Sequence, residues 1–209
     1  MADFQNPAVM PNLITSMSSL LQRVADSNDL NRQLFPQKIS VFHSLTRPTI
    51  SIQSYLERIF KYANCSPSCF LVAYVYLDRF SRHHPSLPIN SLNVHRLLIT
   101  SVMVAAKFLD DIYYNNAHYA KIGGISTAEM NFLEVDFLYG LGFHLNVTPI
   151  SYNTYCSYLH AHMLMLQSPL HFPLPESPPG FAARSSSLKL QYLCFNEDES
   201  SHKEQQLAA

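Results

Sequence analysis

The sequence predicts an all-α fold, and three observations predict it. Glycine is scarce, with 5 in 209 residues, and Gly123, Gly124, Gly140 and Gly142 fall within one short stretch. Hairpins and phosphate-cradling turns need glycine more often than that. Apolar residues recur at helical spacing in segment after segment, and prolines and glycines stand between the segments. No G-x-G-x-x-G, G-x-x-x-x-G-K-[ST] or G-x-S-x-G occurs, which removes the common nucleotide and serine-hydrolase signatures. Hydrophobic residues make up 47% and charged residues 14% of the chain, enough for a real core.

The elements follow in order. Residues 1–11 read as a flexible end. Leu13, Leu20, Leu21 and Val24 predict a helix over 12–28, ended by Asp26-Ser27-Asn28-Asp29. Residues 29–46 are polar and mixed, a linker. Ile52, Leu56, Ile59, Phe60 and Ala63 form the next stripe, behind Pro48, a residue suited to a first helical turn. Ser68 to His83 is apolar nearly all round, which places it in the middle of a bundle. After Pro85 and Pro88, a second mostly apolar helix runs from Asn90 to Leu109. Residues 110–122 leave room for one short helix. Gly123-Gly124 turns the chain. Ser126 and Glu129 fit a capping box that opens a helix from Thr127 to about Tyr139, with Gly140 and Gly142 at its end. A last helix follows Pro149 and runs to about Leu166, within 148–167. Five of 13 prolines lie between 169 and 179, and serines and acidic residues follow. Residues 168–209 read as a disordered Pro/Ser-rich tail.

Charge narrows the function classes. Lys+Arg 14 against Asp+Glu 15 gives a net charge of -1. Nucleic-acid binders and polybasic membrane-surface proteins show a basic excess, so neither partner is expected. Met1 to Asn6 lacks a basic region followed by an apolar stretch, so no signal peptide is expected. Cys65, Cys69, Cys156 and Cys194 are then expected to stay reduced. The longest apolar run, Cys69 to Leu77, is too short to span a bilayer. The expectation is an intracellular protein, in nucleus, cytoplasm or both.

Two charged residues break the pattern. At 100° per residue, Met130, Leu133, Phe137 and Leu141 form one stripe, and Glu134 falls on it, whereas Glu129 and Asp136 point toward solvent. A carboxylate in an apolar stripe is costly unless something satisfies it. On 90–109 the line Arg96, Thr100, Met103 and Lys107 interrupts an otherwise apolar wheel. That line should face a groove, a partner or water. Two readings stay open. Lys107 and Glu134 pair with each other or cap nearby backbone. Alternatively, both line a groove and hydrogen-bond the main chain of an incoming helix or loop.

The segments Tyr76-Leu77-Asp78-Arg79-Phe80, Ala105-Ala106-Lys107-Phe108-Leu109-Asp110 and Leu133-Glu134-Val135-Asp136-Phe137-Leu138 resemble the cyclin box. Tyr119-Ala120-Lys121-Ile122-Gly123-Gly124 lies between them. The pattern is similar to the plant P-type (U-type) cyclins and to the phosphate-pathway cyclins of yeast. The resemblance implies a single five-helix box over about 48–147 with one flanking helix on each side. It implies a regulatory subunit, not an enzyme, that binds and activates a cyclin-dependent Ser/Thr kinase, an A-type or related plant kinase. The setting would be cell-cycle control or phosphate and nutrient signalling. In cyclins the lysine ending helix three and the glutamate of helix five hydrogen-bond the kinase; these match Lys107 and Glu134. Phe108, Leu138 and Phe143 would then supply apolar contacts. The alternative is an adaptor of the same fold that holds a kinase without activating it.

The resemblance has departures. Many cyclins pair an arginine of helix one with the aspartate of helix two. Asp78 is present, but the matching position holds Thr49, leaving Arg47 or Arg58 as substitutes. The docking-patch tryptophan is absent, with Tyr55 near its place.

Other constellations are weaker. Cys65, Cys69, His83 and His84 lack the tight, repeated pair spacing of a zinc site, so no metal is expected. Asp110-Asp111 reads as a solvated helix end. No nucleophile with an orienting base stands out, and no cofactor or small-molecule substrate is expected. Ser168-Pro169 and Ser177-Pro178 are minimal proline-directed phosphorylation patterns.

Overall fold

Seven helices, with no strand among the described residues, make up the computed structural model, which describes residues 10–32 and 38–167. They are α1 (Met10–Arg32), α2 (Ile52–Tyr62), α3 (Pro67–His83), α4 (Val94–Leu109), α5 (Asn116–Gly123), α6 (Thr127–Gly140) and α7 (Pro149–Gln167). The all-α reading stands. Of the expected loose end, residues 1–9 lie outside the described residues, and Met10 and Pro11 open α1. The tail 168–209, with Ser168 and Ser177, also lies outside them.

α3 and α4 form the centre because their sequences leave no polar face to give to water. Twelve of the 17 residues of α3 and eleven of the 16 of α4 are buried. α3 packs on α4, α6 and α7; α4 also packs on α2 and α5; α1 lies against α2 and α7. Asp78 of α3 is the one acidic or basic residue fully buried among the described residues. Its carboxylate accepts from Arg82 one turn on and from the Tyr155 hydroxyl of α7, both at 2.5 Å. Neither Arg47 nor Arg58 makes these bonds, and the Arg58 guanidinium donates to the Lys121 carbonyl at 3.2 Å.

Several boundaries differ from the sequence expectation, each for a local reason. α1 continues to Arg32, past its polar residues, because the loop before α4 satisfies them. Asn28 Nδ2 donates to the Ile89 carbonyl at 2.8 Å, and the Asp29 carboxylate accepts from the Ser91 N–H at 3.2 Å. Pro48 lies outside α2, whose N-cap is Ser51, accepting from the Ser54 N–H at 3.1 Å. α4 starts at Val94 because Asn90 and Asn93 make a side-chain turn instead of a first helical turn. Asn93 Oδ1 accepts from the Asn90 N–H, and Asn90 Oδ1 from the Leu92 N–H.

The segment expected to be a polar linker carries a core residue. Phe42 is buried, with its ring edge-on to Phe80 at 5.4 Å and to Phe137 at 6.2 Å. It nails the non-helical stretch before α2 onto α3 and α6.

Candidate functional site

The out-of-place lysine and glutamate meet. Lys107 sits in the last turn of α4, where a cation also suits the exposed carbonyl ends of the helix. Its Nζ donates to Glu134 Oε1 at 2.7 Å. α6 brings Glu134 there because the capping box at its start forms in full. Ser126 Oγ accepts from the Glu129 N–H, and Glu129 Oε2 accepts from the Ser126 N–H. Met130, Leu133 and Phe137 then seat the helix in the core, which leaves Glu134 at the edge of the apolar stripe. The side chains of Lys107 and Glu134 keep 26% and 18% of their surface exposed, so the pair is shielded yet reachable.

A third element closes the cluster. Asn116, the first residue of α5, accepts from Lys107 Nζ on Oδ1 at 2.5 Å. Its Nδ2 donates to Glu134 Oε2 at 2.7 Å and to Asn131 Oδ1 at 2.8 Å. Sequence reasoning gave Asn116 and Asn131 no role. Asn131 stands one turn before Glu134 on α6, and that i,i+3 spacing was the available signal.

The apolar candidates flank this cluster on their elements. Phe108 follows Lys107 and is exposed; Leu138, one turn beyond Glu134, is half-buried; Phe143 is exposed. Phe143 has φ +59°, the left-handed region, which is strained for a bulky side chain. Gly142 before it has φ +58°. The Phe143 N–H reaches back to the Leu138 carbonyl at 3.0 Å, closing the end of α6, and its ring meets Tyr139 edge-on at 5.3 Å. Phe132, Val135 and Tyr139 also stand exposed along α6 at i, i+3 and i+7, an outer apolar strip the sequence reading passed over.

Other expectations need correction. The middle of the line from Arg96 to Lys107 is core, while its two charged ends are part-exposed and pair with glutamates of α6. Thr100 and Met103 are fully buried. Arg96 donates to Glu129 Oε1 at 2.5 Å and to the His43 carbonyl at 2.7 Å. Glu129 keeps the cap role and the solvent contact expected of it, and adds an ion pair with Arg96. Asp110 ends α4 as its C-cap and Asp111 is exposed, as expected, but the Asp110 carboxylate is not simply solvated: its Oδ2 accepts from the Ser66 N–H at 2.9 Å, holding the start of α3. Cys69 beside it is buried, and its hydrogen bond with Cys65 and its burial push the thiol's pKa up. His83 and His84 point to the Gly140 carbonyl at the far end of α3 from these cysteines. Tyr55, near the place of the missing tryptophan, is buried edge-on to His95 at 4.9 Å. Among the described residues no helix is long and apolar enough to cross a membrane.

One face of the helical bundle thus carries a bridged Lys–Glu–Asn cluster, with exposed aromatic side chains on and beside the same helices. The cyclin family model matches residues 11–145. Cyclin-U4-1 of Arabidopsis thaliana is 65% identical over 208 residues, covering 99% of this chain and 97% of the relative. Cyclin-P4-1 of Oryza sativa subsp. japonica is 54% identical over 172 residues, covering 80% and 81%. Cyclin-U1-1 of Arabidopsis thaliana is 44% identical over 159 residues, covering 75% and 76%. The chain belongs to the cyclin family, beside the plant P- and U-type members. Cyclins are regulatory proteins, and their partner is a cyclin-dependent kinase.

Proposed function

We propose that this chain binds and activates a plant cyclin-dependent Ser/Thr kinase of the A-type or a related class, and that Lys107 and Glu134 grip the kinase main chain. The observation that carries this reading is the Lys107–Glu134 ion pair, part-exposed at the junction of α4 and α6. A lysine and a glutamate held side by side offer one N–H donor and one carboxylate acceptor, the complement of a peptide group. Phe108, Leu138 and Phe143 supply apolar area beside it. The rate effect is a population shift. A kinase is active when its regulatory helix is turned inward and that helix's Glu pairs with the ATP-binding Lys. A partner with affinity for that form alone stabilises it by the difference in affinity. The cyclin supplies no reacting group. The setting is inside the cell, in cell-cycle or nutrient signalling, with Ser168 and Ser177 as sites the bound kinase modifies.

The test is quantitative binding of Lys107→Ala and Glu134→Ala to a purified kinase of that class, followed by a phosphate-transfer assay. Each variant is expected to lose about 2 kcal/mol or more of binding, roughly thirtyfold in affinity. Wild-type affinity in both folded variants rejects the site. Binding without a rise in phosphate transfer identifies an adaptor instead of an activator. Both tail serines staying unmodified after incubation with active complex removes the phosphorylation part alone.

A further inference from the structure

We propose that Asn116 is the positioning residue of the kinase-gripping pair: it locks Lys107 and Glu134 into one geometry before a partner arrives. This rests on the reading above, which gives those two residues their role.

The hydrogen bonds account for every polar group of the amide. Both Nδ2 hydrogens are used, one on Glu134 Oε2 and one on Asn131 Oδ1, and Oδ1 accepts from Lys107 Nζ. With the Lys107–Glu134 bond, the three side chains close a ring across α4, α5 and α6. The arrangement is not needed to start α5, because Asn115 caps that helix by accepting from the His118 N–H at 3.1 Å. The Asn116 side chain is therefore free to cross to two other helices, and it does.

The ring matters because of what it leaves over. A lysine ammonium has three hydrogens, and two are used inside the ring. Each carboxylate oxygen of Glu134 has taken one bond and keeps a lone pair. One donor and two acceptor lone pairs, one on each carboxylate oxygen, thus remain side by side, without breaking any internal bond. An ammonium on a flexible four-carbon stem samples many rotamers when held at one point only. Held at two points, its remaining N–H has a fixed direction, and the ordering cost of binding has been met before the partner docks. The partner chemistry that fits is a main-chain segment presenting a carbonyl and an N–H together.

The experiment compares Asn116→Ala, Asn116→Asp and Asn116→Gln with Lys107→Ala in the full chain, by kinase dissociation rate and by NMR of lysine side-chain NH3+ groups. Asn116→Ala removes the second anchor of Lys107 and both donors. It should weaken kinase binding about tenfold, mostly through faster dissociation, with little change in melting temperature. Its Lys107 NH3+ signal should broaden or vanish. Asn116→Asp keeps the acceptor but sets a second carboxylate against Glu134, and should weaken binding at least as much. Asn116→Gln keeps both functions and should recover part of the loss. The inference is overturned if Lys107→Ala loses binding while Asn116→Ala and Asn116→Asp bind within twofold of wild type. It is overturned equally if the Lys107 signal is the same in all. If Lys107→Ala and Glu134→Ala themselves bind as wild type, the gripping site fails and the positioning role falls with it. Should Asn116→Ala be poorly folded, Asn116→Asp and Asn116→Gln decide.

Discussion

A shielded charge is stable only where its neighbours replace the water it has lost, and Lys107, Glu134 and His95 show three versions of that rule. Removing Glu134 leaves the Lys107 ammonium with Asn116 alone. Because both partners keep some contact with solvent, Glu134→Ala should cost about 1–2 kcal/mol of stability, less than a fully buried pair. Urea unfolding of wild type and variant measures it. His95 lines the junction of α4 and the stretch before α2. Its Nε2–H donates to the Ile50 carbonyl at 3.0 Å, while Nδ1 is buried with no hydrogen-bond partner among the described residues. Burial, aided by the Arg47 charge and opposed by the Ile50 bond, holds its pKa below the ordinary imidazole value. Burial lowers His162 in the same way, with Arg23 adding to it. The unfolded chain therefore binds more protons than the folded one between the depressed and the ordinary values, so stability falls as pH drops below about 6.5. Urea midpoints at about pH 7.5 and 5.5 should show this, and His95→Gln, which keeps an N–H for Ile50, should show a shallower drop. A lysine and a glutamate misplaced on apolar wheels were legible from residues alone. Asn116 was not, because nothing in its local sequence says which distant side chains α5 brings within reach.

Helix identity was readable where the periodic signal is local and strong, as in α3 and α4, while helix edges were not where side chains compete with the backbone. The start of α4 is such a case: two asparagines spend their amides on a turn and delay the helix to Val94. α6 is the opposite case, since the S-x-x-E pattern states its own start. Ser126→Ala removes the hydroxyl acceptor of the Glu129 N–H and should cost about 1 kcal/mol. A drop in the thermal midpoint, with helix content kept by circular dichroism, is the expected result. The end of α6 makes a sharper prediction. A Cβ on Gly140 would lie 2.3 Å from Cε2 of Phe80. That ring cannot easily retreat, being stacked on Phe137 at 5.2 Å and edge-on to Phe42 at 5.4 Å. Gly140→Ala should therefore destabilise by about 1–3 kcal/mol, although alanine is the better helix former. An unchanged urea midpoint would show that α3 and α6 are not in contact there.

At the scale of the molecule, the periodic stripes said that helices pack but not which ones. Phe42 joins a stretch read as linker to α3 and α6, and only long-range packing reveals it. α7 poses the same question, since the cyclin match ends at residue 145 and α7 begins at Pro149. Its contacts make it part of the fold. Tyr155, Leu159 and Met163 are buried, and the Tyr155 hydroxyl donates to the buried carboxylate of Asp78. Ser16 of α1 donates to the Leu159 carbonyl at 3.2 Å and bonds the His162 ring at 2.9 Å. At roughly 1.5–3 kcal/mol for each buried side chain, loss of α7 removes about 5 kcal/mol or more, the whole margin of many domains. A chain ended at residue 148 should keep helical signal yet lose its cooperative thermal transition. Tyr155→Phe gives the graded version: it takes one hydroxyl from a charged acceptor, keeps the ring against Tyr74, and should cost about 1–3 kcal/mol. If the truncated chain melts as sharply and as high as the full one, α7 is an appendage, and the Asp78 charge is held by α3 and its other neighbours without it.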